Sequence, residues 1–301
     1  MAVGGDGAAA VARSIEARGP IHGARWEDAW RTFRTAVGLG WAVESNWSDP
    51  FLFAVYTVAK PLSAALILVL MFNVITGGGR TAYLEFLVVG SGLWQVVFGV
   101  LTGLVNGILE DRERYRMLRY VVLTPASVFP FLLGRGVARL LISLLAVGVT
   151  LAVGVVLLGV ELRPEPVLLA AASLGGLVAV VALGIVMAGW CLQLRQEGWF
   201  YPEAVAGALY LVSGAIFPLD VLPGYLQPLG WALPTTWWLE ASRRGLLGEG
   251  APGSMATLPD GVVLALMTAT TLVTLGVALT AWSWFLRRAR RQGLLDMVTG
   301  G

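Results

Sequence analysis

The 301-residue chain has one cysteine, Cys191, one histidine, His22, and one lysine, Lys60, and only 13% of its residues are charged. Each scarcity removes a class of function. A lone cysteine leaves no intrachain disulfide, and a single histidine leaves no His/Cys cluster to hold a metal. Cys191 reads as a small buried apolar group and His22 as a solvated tail residue. A phosphate-cradling Walker loop ends in Gly-Lys-Ser/Thr, whereas Lys60 stands between Ala59 and Pro61, so this chain is no P-loop ATPase. The net charge of +2 is small and the arginines sit at the ends of apolar runs, which argues against a nucleic-acid partner. No ladder of Asp, Glu and His threads the apolar runs, and this weighs against an ion-coupled transporter or channel. An intramembrane enzyme would need converging acids, histidines or a metal, and the sequence offers none.

What is abundant is apolar. Hydrophobic residues make up 57% of the chain, mean hydropathy is +0.75, and soluble domains carry about 25% charged residues. Runs near 51–75, 83–109, 127–160, 166–192, 199–219 and 261–286 are each long enough, at about 1.5 Å per residue, to cross about 30 Å of hydrocarbon. The expected fold is an all-α membrane protein with six transmembrane helices, and an even number places both termini on one side. Arginine bookkeeping gives the side. With the termini inside, the inner segments hold Arg13, Arg18, Arg25, Arg31, Arg34, Arg112, Arg114, Arg116, Arg119, Arg195, Arg287, Arg288, Arg290 and Arg291, while the outer ones hold Arg80, Arg163, Arg243 and Arg244. That fourteen-to-four split makes both termini cytoplasmic. Lys60 either snorkels to the headgroups or faces a cavity, Arg135 and Arg139 can stay at the cytoplasmic interface, and Glu203 reads as interfacial.

Residues 1–22 read as a disordered cytoplasmic tail without a signal-peptide core, 23–50 as an amphipathic helix and elbow, 51–286 as the six-span domain, and 287–301 as a basic cytoplasmic C-terminus. In the second segment Trp26, Trp30, Phe33, Val37 and Trp41 share one helical face and Arg25, Asp28, Arg31 and Thr35 the other. Such a helix lies flat in the headgroup layer with Trp26, Trp30, Phe33 and Trp41 as anchors, or packs on protein. Gly99, Gly103 and Gly107 make a flat face on the second span, for helix packing or a pathway lining.

Two segments stand out. Residues 110–119, Glu-Asp-Arg-Glu-Arg-Tyr-Arg-Met-Leu-Arg, mix both charges, with acids first and arginines later as the helix dipole favours. They read as a short exposed helix with an apolar edge at Tyr115, Met117, Leu118 and Val122, stopped by Pro125. Docking on another protein and a plain solvated loop are both open. The second segment, 213–238, has prolines at 218, 223, 228 and 234 that forbid one continuous helix, yet it is too apolar for a solvent loop. Short re-entrant half-helices between spans five and six satisfy both demands. Tyr225, Trp231, Trp237 and Trp238 would then sit at headgroup level, as an interface belt or in contact with a departing substrate.

The order of these elements resembles the permease subunit of type-2 ABC exporters over nearly the whole chain. The resemblance rests on the interfacial helix, two spans, the charged loop ending Leu123-Thr124-Pro125-Ala126-Ser127, three more spans, the Ser213–Pro234 block with its Phe217-Pro218-Leu219 and Pro234-Thr235, and a last span. The loop departs from the family's commoner Gly-Thr-Leu-Glu wording, having Arg116-Met117-Leu118-Arg119. The resemblance implies outward movement of an amphipathic drug, lipid or lipid-linked glycan through a permease in a bacterial or archaeal cytoplasmic membrane. It implies no cofactor in this chain, with ATP and Mg on two separate ABC ATPase subunits, and a second permease copy or paralogue alongside. Glu110, Arg112, Glu113, Arg114, Tyr115 and Arg116 would couple to the ATPase, and Phe217, Pro218, Tyr225, Trp231, Pro234, Trp237 and Trp238 would form the outer segment on the substrate pathway.

Overall fold

The computed structural model describes residues 26–45, 82–113, 128–194, 198, 200–248, 255 and 257–294, with isolated positions between 55 and 77. Among the described residues there are helices and no strands: α1 Trp26–Ser45, α2 Ala82–Glu113, α3 Val128–Leu158, α4 Pro166–Cys191, α5 Tyr201–Val212, a 3-10 turn Leu219–Val221, α6 Gln227–Ala232, α7 Pro234–Leu247 and α8 Asp260–Gln292. The tail at 1–22 and nearly all of the first predicted span, with Lys60, lie outside the described residues.

Proline and glycine set the boundaries. Pro166, Pro202, Pro228 and Pro234 occupy first-turn positions of α4, α5, α6 and α7, where a missing N–H costs no helical bond. Gly293 closes α8 at φ +66.

α2 is the central column. Of its most apolar stretch 72% is buried, against 22% for α3 and for α8, so the other helices are arranged around it. Its contact with α3 is made through the glycine face. A Cβ on Gly99 would fall 2.1 Å from Ser143 Oγ, one on Gly103 2.4 Å from Arg139 Cγ, and one on Gly107 3.3 Å from Arg135 Nε. Each four-residue step down α2 meets a four-residue step back along α3, which defines an antiparallel hairpin. The glycines therefore serve packing, and the side chains they receive are two arginines and a serine.

Similar notches orient the rest. Gly184 meets Leu104 while Arg112 reaches the carbonyls of Leu192 and Leu194, so α4 runs parallel to α2. Gly175 meets Met267 and Gly189 meets Phe285, which makes α8 parallel to α4. α7 lies antiparallel to α4, with Trp238 on Gly176 and Gly245 on Leu169. α5 spans 12 residues, about 18 Å, shorter than the crossing helix the apolar run predicts. Its flanks extend the reach: Gly198 contacts Leu109, Tyr210 stacks on Trp94 at 5.1 Å, and the Tyr83 hydroxyl donates to Ile216 O at 3.0 Å. The segment thus runs antiparallel along most of α2.

α1 packs on α3 through small residues. Gly134 meets Ala36 and the Phe33 carbonyl, and Gly40 meets Ala138. The pairs Ala36/Gly40 and Gly134/Ala138 advance together, so the two helices run in the same sense at a small-x-x-x-small contact. The sequence predicts a helix with its tryptophan face in lipid headgroups or on protein. In the structure the small-residue face takes the protein contact, while Trp26, Trp30 and Trp41 stay exposed, at 77% for Trp26, and Trp30 stacks on Phe33 at 5.4 Å.

Candidate functional site

Charged side chains gather at both ends of α2. At its C-terminal end, Arg112 has 1% of its side chain exposed; its Nη1 donates to Leu192 O at 3.2 Å and Leu194 O at 3.3 Å, and its Nη2 to Glu113 Oε1 at 2.5 Å. The acceptors are carbonyls at the end of α4, left without intrahelical donors and carrying the negative end of that helix's dipole. From α3, Arg135 Nη2 lies 3.5 Å from Asp111 Oδ1 and 3.8 Å from Glu110 Oε2. Three helices are therefore joined here by buried charge. Breaking such a pair from one side costs about 3–5 kcal/mol, because it strands the other ion.

This geometry corrects one expectation. Glu110, Arg112 and Glu113 belong to the last turn of α2, and Arg112 is buried instead of exposed for docking, because the end of α4 supplies it with carbonyl acceptors. Arg114, Tyr115 and Arg116 lie outside the described residues. Arg135 is likewise buried where the sequence allows it to remain interfacial, and Asp111 is the reason.

At the other end of α2, the block after α5 folds back under itself. Every residue of α7 is buried. Arg243, 2% exposed, donates Nη2 to Gly214 O at 3.1 Å, faces Glu240 Oε2 at 3.4 Å through Nη1, and stacks its guanidinium 3.6 Å over the Phe86 ring. Arg244 donates Nε to Glu240 Oε1 at 3.0 Å and Nη1 to Leu258 O and Asp260 Oδ1, both at 2.7 Å, and its Nη2 reaches Met255 O. Two arginines and two carboxylates thereby balance their charge and tie α7 to α8. Gly90 permits the approach, since a Cβ there would fall 2.1 Å from Ala215 O and 2.7 Å from Arg243 Nη2. Gly214 at φ +76 belongs to the same turn, in a conformation that favours glycine. Only a void of about 10 Å³, room for about one water, remains among Ser213, Thr236, Glu240, Arg243 and Phe86.

The predicted outer residues separate into two groups. Phe217 and Tyr225 are exposed, Tyr225 at 80%, and Pro218 and Trp231 are half-buried. Pro234, Trp237 and Trp238 are buried against protein, whereas the sequence reading exposes Trp237 and Trp238 to headgroups or a substrate. Gly176 explains Trp238, since the absence of a side chain admits the indole onto α4, and Trp237 Nε1 donates to Trp231 O at 2.9 Å. Sequence reasoning treats Arg243 and Arg244 as ordinary outer-loop arginines. Glu240, three and four residues before them on one helix, is the signal that they are paired.

Among the described residues no group of three His, Cys, Asp or Glu side chains could hold a metal. The two clusters make no nucleophile and no redox centre; they fasten helices to one another.

Among the described residues, four helices long and apolar enough to cross a membrane, packed on one another through glycine notches, define a multi-pass membrane protein. Residues 39–247 match the family model of the ABC-2 type transporter, and the chain belongs to that family as a permease component of an ABC transporter. No curated protein is matched by the sequence.

Proposed function

We propose that this chain is the membrane half of an ATP-driven exporter that moves an amphipathic substrate, a drug, lipid or lipid-linked glycan, outward across a bacterial or archaeal cytoplasmic membrane. It works beside a second permease copy or paralogue, with both termini cytoplasmic, and draws its energy from two ABC ATPase subunits that hold ATP and Mg. The ATPase seats the last turn of α2, at Glu110 and Glu113, and the segment that follows through Arg114, Tyr115 and Arg116.

One observation carries this reading: the two ionic clusters lie at opposite ends of the same buried helix. Arg112 and Phe86 are 26 positions apart on α2, about 39 Å along its axis. A push on the loop that follows Glu113 acts on α2 directly and, through Arg112 and Asp111, on α4 and α3. The same column meets α7 at its far end through Phe86, Gly90 and Arg243. Closure of the ATPase pair therefore reaches the outer segment through a stiff rod.

The test is affinity purification of the chain from its own membrane in mild detergent. An ABC ATPase should co-purify, and ATP hydrolysis should follow it. The double reversal Arg114→Glu, Arg116→Glu, which leaves the ion pairs of Arg112 and Arg135 in place, should lower co-purification or separate hydrolysis from movement of a fluorescent phospholipid in vesicles. Unchanged co-purification and coupling would retire the docking surface, and ATP turnover by the isolated chain would retire the proposal.

A further inference from the structure

α3 and α4 are joined by a short connection yet scarcely touch, since each packs on α2 and α4 spends its other flank on α7 and α8. The gap is an open groove of about 410 Å³ between α3, α4 and α8, lined among the described residues by apolar side chains, including Leu133, Leu140, Val178, Val181, Leu275 and Leu279. It belongs to neither ionic cluster. Phe129, at its α3 end, precedes Arg135 by under two turns, and Arg135 is level with the C-terminal end of α2. The groove therefore opens toward the end of the bundle where α2, α4 and α8 all finish.

On α8 the groove face continues past Leu279 to Leu286 and Arg290, at spacings of seven and four, which keeps all three on one stripe. Arg290 is exposed and lies about 16 Å beyond Leu279 along the axis. Arg287, Arg288 and Arg291 surround it. A hydrocarbon trough whose α8 stripe leads on to a guanidinium is complementary to an amphiphile with an anionic head. Arginine suits phosphate because its planar fork offers two parallel donors. A second copy of the chain fits less well. Related by a two-fold axis along the membrane normal, it would bring its own Arg287–Arg291 run to the same level, like charge against like.

We propose that this groove is a resident site for an anionic phospholipid, one acyl chain lying between α3, α4 and α8 and the phosphate at Arg290, in whichever leaflet meets the C-terminal end of α8. The site is separate from the exporter reading and needs no ATPase to be occupied.

The chain is reconstituted in vesicles holding equal phosphatidylglycerol and phosphatidylcholine, extracted in mild detergent, and its retained lipid counted by native mass spectrometry. One phosphatidylglycerol should be kept in preference to phosphatidylcholine by about five-fold, the weight of one arginine at a membrane surface. Arg290→Gln should bring that ratio near one while lipid is still bound, and Leu279→Trp, which fills the trough, should reduce both lipids. Val178→Phe, on the opposite wall and exposed, repeats the filling test if the first variant fails to fold. Equal retention by the wild type, or a preference that survives Arg290→Gln, would overturn the proposal. So would a dimer that Leu279→Trp dissolves, since a second copy would then be the occupant. Loss of this site would leave ATPase co-purification untouched, so the two readings fail separately.

Discussion

Glu240→Gln is the sharpest probe of the outer cluster. The change keeps the side chain's size and one acceptor oxygen but removes the charge that both arginines share. Arg244 retains Asp260, Leu258 O and Met255 O, so the damage falls on Arg243. Stranding a buried charge costs about 3–5 kcal/mol. Arg243 keeps the Gly214 carbonyl and the Phe86 ring, contacts that offset part of this, and a loss of about 2–3 kcal/mol remains. By the scaling for soluble domains of similar size, that lowers Tm by about 4–12 °C, readable from intrinsic tryptophan fluorescence in detergent. The double variant Glu240→Gln with Arg243→Met replaces the stranded ion by an apolar side chain and should recover most of the loss. Glu161→Gln is the control, because the Glu161–Arg163 pair at 2.9 Å is 66% and 73% exposed and its removal should leave Tm in place. A single variant as stable as the wild type, or a double variant no better than the single, would refute the claim that buried charge balance holds α7.

Gly176→Ala should sharply reduce folded yield on gel filtration, since the new Cβ would fall 1.7 Å from Trp238 Cδ1 on a buried ring, whereas Gly148→Ala, with open space around it, should be neutral or stabilising by up to about 1 kcal/mol. Cys191 is fully buried, so a maleimide should leave the folded protein unlabelled and react on unfolding, with labelling and the fluorescence transition coinciding; rapid labelling before that transition would contradict the packing of α4 on α2.

Much of this architecture was legible from run lengths. The stretches near 83–109, 127–160, 166–192 and 261–286 appear as α2, α3, α4 and α8; α3 and α4 end within two residues of their runs, whereas α2 and α8 continue four and six residues past theirs, because nothing in a run's hydropathy says where a polar helical extension stops. The glycines at 99, 103 and 107 announced a close helix contact, but what fills it was hidden. The four-residue series Arg135, Arg139 and Ser143 on the next helix was present all along, and only the hairpin register pairs the two. Arg112 illustrates the harder limit. Its acceptors are 80 and more positions away, and no local pattern tells a buried arginine from an exposed one when the partner is a backbone carbonyl. Trp238 was hidden for the same reason, because its burial depends on Gly176, on a helix that precedes it by some 60 residues.

The fit of Arg135, Arg139 and Ser143 into three glycine notches limits how the α2–α3 hairpin can move. The teeth and gaps are spaced four residues apart, so the mesh has stable settings only about 6 Å from one another. A slide of two or three ångströms would drive an arginine stem into backbone, and a full step would tear Arg135 from Asp111. In any transport cycle, therefore, this pair of helices is a locked gear that turns as one piece, and the joints that flex have to lie elsewhere in the molecule.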